Sequence, residues 1–190
     1  MRPYLWLAVA ALPLLFPSVS RADEVSDALT EASRAYQGGQ IGAARTAMGE
    51  AMQLLSQRTA ASLGAALPAP LAGWKASEPD VNAGAMSFLG GGSQASRHYT
   101  NGQNQSVEIQ VIADSPIIGQ LGMILTNPAL AGAMGKLIRI GSQRAIQTTS
   151  NEIQMLVANR TLVTINGDAP IEAKLAYAQA VDVAKLTAAQ

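Results

Sequence analysis

The chain has no cysteine among its 190 residues. That one absence removes disulfides, cysteine lipidation, iron–sulfur clusters and the common zinc sites. Histidine occurs once, as His98, and no D-x-D-x-D-G loop is present. Zinc and EF-hand calcium therefore lack ligands, and no metal or other cofactor is expected. Charge is also scarce, at 14% of residues, with 13 bases balancing 13 acids. Without a basic excess there is no footprint for nucleic acid and no charge-driven attachment to anionic lipid. There is no G-x-S-x-G elbow, and no Lys-Ser/Thr follows Gly90-Gly91-Gly92. The glycine run reads as a hairpin turn rather than a phosphate loop.

What is present begins with an export signal. Arg2 is a short positive region, Tyr4 to Phe16 is an apolar run broken only by Pro13, and Ser20-Arg21-Ala22 places small residues where a signal peptidase reads. The run is too short to span ~30 Å of hydrocarbon. Cleavage is expected after Ala22, leaving 190 − 22 = 168 residues. Losing Arg2 and Arg21 leaves 11 bases against 13 acids, a net charge of −2. The expected product is a soluble periplasmic protein without a stable membrane anchor, held by its core alone.

Residues 23–67 are rich in alanine and interrupted once, at Gly38-Gly39. Val25, Leu29, Ala32 and Tyr36 fall at helical spacing, and Ile41, Ala44, Met48, Ala51 and Leu55 repeat it. The two stretches make a helical hairpin. It resembles a single tetratricopeptide repeat, with Gly39, Ile41, Ala44, Met48 and Ala51 at the turn and packing positions and Ser56 near where the closing proline would fall. One repeat is too few for an array, so the hairpin must lend its apolar face to something else. Residues 68–84, with Pro68, Pro70, Gly73 and Trp74, read as a connector whose tryptophan buries against the domain C-terminal to it.

Beyond the connector the period changes to two. Val107, Ile109 and Val111 alternate with Glu108 and Gln110, and Asn101-Gly102 before them signals a two-residue turn. Strands are expected at 85–89, 95–100, 106–113, 137–140, 144–148, 153–158 and 162–165. Asp114-Ser115-Pro116 reads as a capped helix start, Asn127-Pro128 as a break, and Pro170 as the start of a final helix. The class is α+β: a hairpin, then a mostly antiparallel sheet of about seven strands with covering helices over 85–190. The element order resembles that of PsbP/Mog1/DcrB-type proteins.

A wider resemblance rests on Leu67-Pro-Ala-Pro-Leu-Ala-Gly-Trp74, Gly90-Gly-Gly-Ser93 with Ser96-Arg97, Asp114-Ser-Pro116 and Ala158-Asn-Arg160. This combination is similar to a family of exported proteobacterial proteins without an assigned reaction. The likeness implies the architecture and the compartment and carries over no catalytic residue.

Catalysis has little to build on. His98 sits in a strand pattern and reads as a surface or edge-strand residue, although a periplasmic hydrolase using it is the alternative reading. Glu108 and Asp114, six apart on one strand, lie about 20 Å from each other, too far for glycoside hydrolysis. They read as a ladder partner and a helix cap. Met48 and Met52, at i and i+4, read as core filler rather than copper ligands. Two features remain. Pro116–Gly135 is an uncharged stretch, expected to pack on the sheet beneath the hairpin or to close over an apolar ligand. With Trp74, its Leu121, Ile124 and Leu125 form the candidate ligand-binding set. The expected function is non-enzymatic binding of an envelope protein partner or a small apolar molecule.

Overall fold

The structure is a computed structural model that describes residues 21–83 and 92–188. The expected signal peptide, apart from its last two residues, and the strand expected at 85–89 lie outside the described residues. The chain forms α1 (Arg21–Gln37) and α2 (Ile41–Ala66), then β1 (Trp74–Ala76), β2 (Asp80–Ala83), β3 (Ser93–Asn101) and β4 (Ser106–Ala113). Next come α3 (Pro116–Thr126) and α4 (Pro128–Met134). A meander comes after them: β5 (Gly135–Ile140), β6 (Gln143–Thr148), β7 (Ile153–Val157) and β8 (Thr161–Asn166). The last elements are α5 (Ile171–Ala180) and α6 (Val183–Ala188).

Among the described residues the strands make one eight-stranded sheet, ordered β1-β3-β4-β8-β7-β6-β5, with β2 also on β3. Every pairing is antiparallel. The α+β class and the hairpin-then-sheet order are thus as the sequence implies. β4 is central because its odd positions are all apolar: Val107, Ile109, Val111 and Ala113 are buried while their neighbours are half-exposed. These residues join Ala95, Tyr99, Met155, Val163 and Ile165 in the main core, covered by Leu63 and Ala66 of α2, Tyr177 of α5 and Leu186 of α6.

The other sheet face carries a smaller core, in which Ile118 of α3 and Ala131 of α4 pack with Ile146, Leu156 and Leu162. α2 and α3 therefore cover opposite faces, and the hairpin does not roof the uncharged segment as expected. A strand's side chains alternate between faces, and the residues above α2 and above α3 fall on opposite parities: Val111 belongs to one cluster and Ile112 packs against the other.

Other boundaries differ for local reasons. The connector expected at 68–84 contains β1 and β2, which pair with separate halves of β3. The close approach of α2 to β2 is possible at Gly64, where a Cβ would lie 3.2 Å from Val81 Cγ1. The β3–β4 turn has four residues rather than two, with Asn104 at φ 59 and the Asn101 Oδ1 accepting from the N–H of Gln103 and of Gln105. Asp114 does not cap α3; its carboxylate accepts from Arg160 Nη2 at 2.6 Å. Asn127 does break the uncharged segment, its Oδ1 accepting from Ala129 N–H to start α4. The final helix is two helices, because Asp182 N–H turns aside to the Ala66 carbonyl and its Oδ1 caps Lys185 N–H.

Candidate functional site

α1 packs on α2 through small side chains. Val25, Ala28, Ala32 and Ala35 on one helix and Ala44, Ala47 and Ala51 on the other are all buried. Alanine at every third or fourth place lets two backbones approach closely and leaves no room for larger side chains between them. The large apolar residues of both helices are displaced to the rim. Leu29 is 48% exposed, Tyr36 69%, Ile41 51%, Met48 54%, Met52 65% and Leu55 47%. Only the C-terminal half of α2 reaches the sheet, where Leu63 and Ala66 enter the main core. α1 and the first half of α2 contribute no residue to that core.

Displaced residues line an open, mainly apolar groove of about 390 Å³, walled by Leu29, Tyr36, Ile41 and Met48 over a floor of Ala32 and Ala44, with Ser33 and Arg45 also in its lining. By helical spacing Met52 and Leu55 fall on the same side of α2 as Met48, and both are exposed. A second groove of about 580 Å³ is lined by Glu24, Asp27, Glu31 and Glu50 together with Ala28 and Ala47. One groove between the helices is thus apolar and the other acidic. Between residues 23 and 66 there are five acids and three bases, so the hairpin as a whole is negative.

Trp74 and the α3 residues expected to bind ligand with it lie on opposite faces of the sheet. Trp74 is half-buried on the main-core face, edge-on to Tyr177 with ring centroids 5.4 Å apart and planes at 88°. Tyr177 in turn lies 4.4 Å from the Tyr99 ring. This aromatic cluster fastens the 68–76 stretch to the sheet: Leu71 N–H donates to the Tyr177 hydroxyl, and Arg97 Nη1 donates to the Pro68 carbonyl. Burial pushes the Tyr99 hydroxyl up to about 12, against the nearby Arg97, and raises Tyr177 as well. Ile124 belongs to α3, on the opposite sheet face, and is half-buried. Leu121 and Leu125 share that helix; their side chains are outside the described ones.

His98 is exposed on β3, opposite Glu108 of β4, with its main chain bonded to Ser77. Among the described residues no group of three or more His, Cys, Asp or Glu side chains gathers to hold a metal. No described helix is long and apolar enough to cross a membrane.

The hairpin groove was legible in part. Both apolar stripes were visible as helical spacing, and so was their need for an outside cover. Met48 and Met52 are not core filler, and the signal that separates them is side-chain size: alanines repeat at one phase of each helix, large residues at the next. No family model matches the chain, and no curated protein or solved structure matches it. Fold and groove define a class nonetheless: an α+β sheet protein bearing a helical hairpin whose apolar face no other described element covers.

Proposed function

We propose that this is a non-catalytic binding protein of the cell envelope, and that its hairpin groove receives an amphipathic helix of a partner protein. The observation that carries the reading is the run of six large apolar side chains, Leu29, Tyr36, Ile41, Met48, Met52 and Leu55, exposed on a hairpin whose own interior is alanine. An exposed patch of this continuity marks an interaction site. Ile41, Met48 and Leu55 are spaced by sevens, as are Leu29 and Tyr36, which is the repeat one helix offers another. Ile41 to Leu55 runs about 21 Å along the helix axis, room for a partner of about four turns. A small apolar molecule is a poorer fit, since such ligands are enclosed and this groove is open along its length. The acidic reverse side selects basic flanks on the partner through its longer-range field. Methionines suit the role because their flexible thioethers adapt to the surface presented. The envelope location rests on the export features of residues 1–22.

The test uses a fluorescein-labelled amphipathic Leu/Lys helix, a permuted control with the same composition, and an apolar dye as small-molecule probe. The peptide should bind saturably, the permuted control should not, and Met48→Glu or Ile41→Glu should remove binding without changing the melting temperature. Light scattering on the free protein tells whether a second copy fills the groove instead. Dye binding without peptide binding, or a dimer lost on Met48→Glu, would overturn the partner-helix reading.

A further inference from the structure

The sequence motifs Asp114-Ser115-Pro116 and Ala158-Asn159-Arg160 lie more than 40 residues apart, and the function proposed for the hairpin uses neither. The fold brings them together at one end of the sheet. β4 ends at Ala113 and pairs with Thr161, the first residue of β8, so the β4–α3 junction and the β7–β8 turn are neighbours. Asp114 N–H donates to the Arg160 carbonyl, and Arg160 Nη2 returns a bond to the Asp114 carboxylate. Between them opens a cavity of about 290 Å³ lined by Asp114, Ser115, Pro116, Ile118, Gly119, Asn159 and Arg160.

Three observations converge on the chemistry of this cavity. The first turn of α3, an eleven-residue helix, opens onto it and turns the positive end of the helix dipole toward the space, while Ile118 N–H is itself bonded to the Ser115 carbonyl. Ser115 lines the same cavity and is only 6% exposed, yet its Oγ has no hydrogen-bond partner and does not cap the helix. A buried hydroxyl left unbonded is costly, and it stands in the N-cap position from which it would normally turn back onto the helix. Arg160 adds a guanidinium that spends one N–H on Asp114 and gives its others to no acceptor among the described residues. The positive end of a helix dipole, an unbonded hydroxyl and a half-used guanidinium all favour negative charge, and a set of this kind is complementary to an oxyanion.

We propose that this cavity binds a small oxyanion, a carboxylate or phosphate group, held between Arg160 and the first turn of α3 with Ser115 Oγ as an additional donor. Asp114 is the internal competitor: it occupies part of the guanidinium that the ligand would take. Its carboxylate therefore sets the affinity by how much of Arg160 it holds back. Asp114 and Arg160 are both partly exposed, so the pair can reopen without unfolding the end of the sheet.

The test titrates the full mature chain with inorganic phosphate, and separately with acetate, at low ionic strength, following backbone amide shifts by NMR. Saturable binding should move the amides of Gly119 and Asn159 first. Arg160→Gln should weaken binding by about tenfold or more, as expected for loss of a charge-assisted contact. Asp114→Asn, which keeps the left-handed backbone that Asn tolerates, should tighten binding several-fold by releasing the guanidinium. Ser115→Ala should weaken binding while leaving the melting temperature unchanged or higher, the reverse of what a structural cap would give. Whether phosphate or acetate binds better identifies which oxyanion the cavity takes, and either supports the proposal. Should Arg160→Gln fail to fold, Arg160→Lys is read for the same loss, since it keeps the charge and removes the fork. Absence of saturable binding by both anions, or an Arg160 variant that binds as well as the wild type, would overturn it.

Discussion

The Tyr99 hydroxyl donates to the carbonyl of Pro68 across 2.8 Å, joining the middle of β3 to the stretch that leaves α2. Tyr99 is fully buried, and its ring lies against Tyr177 of α5, so one side chain ties three parts of the fold together. Tyr99→Phe keeps the ring and removes the hydroxyl, and should cost about 1–2 kcal/mol. The pH dependence has a definite sign. A hydroxyl whose folded value is raised from 10.0 to about 12 stabilises the fold fully below pH 10 and loses that contribution as pH rises toward 12. Denaturant melts between pH 9 and 12 should therefore slope downward for the wild type and be flatter for Tyr99→Phe.

Asp168 supplies the acid counterpart. Its carboxylate accepts from both the N–H and the hydroxyl of Ser106, pinning the β8–α5 turn to the start of β4. Those two bonds hold its carboxyl below the ordinary 3.8. A depressed carboxyl contributes stability above the unfolded value and loses it as pH falls through the folded one. Thermal melts should therefore drop below about pH 4 in the wild type. Asp168→Asn should melt lower at neutral pH and change less across that acid range. Equal slopes for the two proteins would remove Asp168 from the account.

Gly167 in the same turn has no substitute. Its φ is +121, and a Cβ there would sit 2.2 Å from the Ser106 carbonyl oxygen, against backbone that cannot move aside. Gly167→Ala should cost on the order of 3 kcal/mol or more, combining left-handed strain with displacement of β4. Urea titration would measure it, and a wild-type midpoint would mean the turn can rearrange.

The legibility of each element in the sequence depends on how strongly one face was specified. β4 could be read because Val107, Ile109 and Val111 alternate without exception, and a slip of one residue would expose all three. β1 and β2 could not. They are three and four residues long and lie at an edge; β1 alternates over only three residues and β2 is exposed throughout, so neither carries a pattern long enough to read. The hairpin was visible as helices, but its packing was not. Periodicity alone marks Leu29 and Ala32 equally as apolar, while only close helix approach decides that alanine goes inside and leucine stays out. The cavity at Ser115 was hidden for another reason: its two motifs are joined by a strand pairing that no local pattern announces.

That distinction between small and large residues on the hairpin gives opposite outcomes one position apart. Ala51 is 1% exposed and Met52 65%. Ala51→Leu forces a much larger side chain into a close helix contact and should cost about 1–3 kcal/mol. Met52→Ser should change stability by less than about 0.5 kcal/mol, while weakening whatever the groove binds. Chemical denaturation of the two variants checks both at once, and equal losses would mean the helices meet elsewhere than at their alanines.

The same separation of core from free surface applies to α3, because the hairpin lies on the far side of the sheet. If α3 were a mobile lid over an apolar ligand, its inward residues would contribute little to stability in the ligand-free protein. Ile118 argues otherwise: it is 2% exposed and packs with Ala131, Ile146, Leu156 and Leu162 from four other elements. Ile118→Ala should leave a cavity there and cost about 2–5 kcal/mol. Met123, on the same helix but 66% exposed, serves as the control, and Met123→Ala should be close to neutral. Hydrogen exchange adds a second measure, since a docked α3 should exchange its amides about as slowly as β6 beneath it. If Ile118→Ala melts like the wild type and α3 exchanges far faster than β6, the helix is a lid after all, and the space between it and Leu156 is where a ligand should be sought.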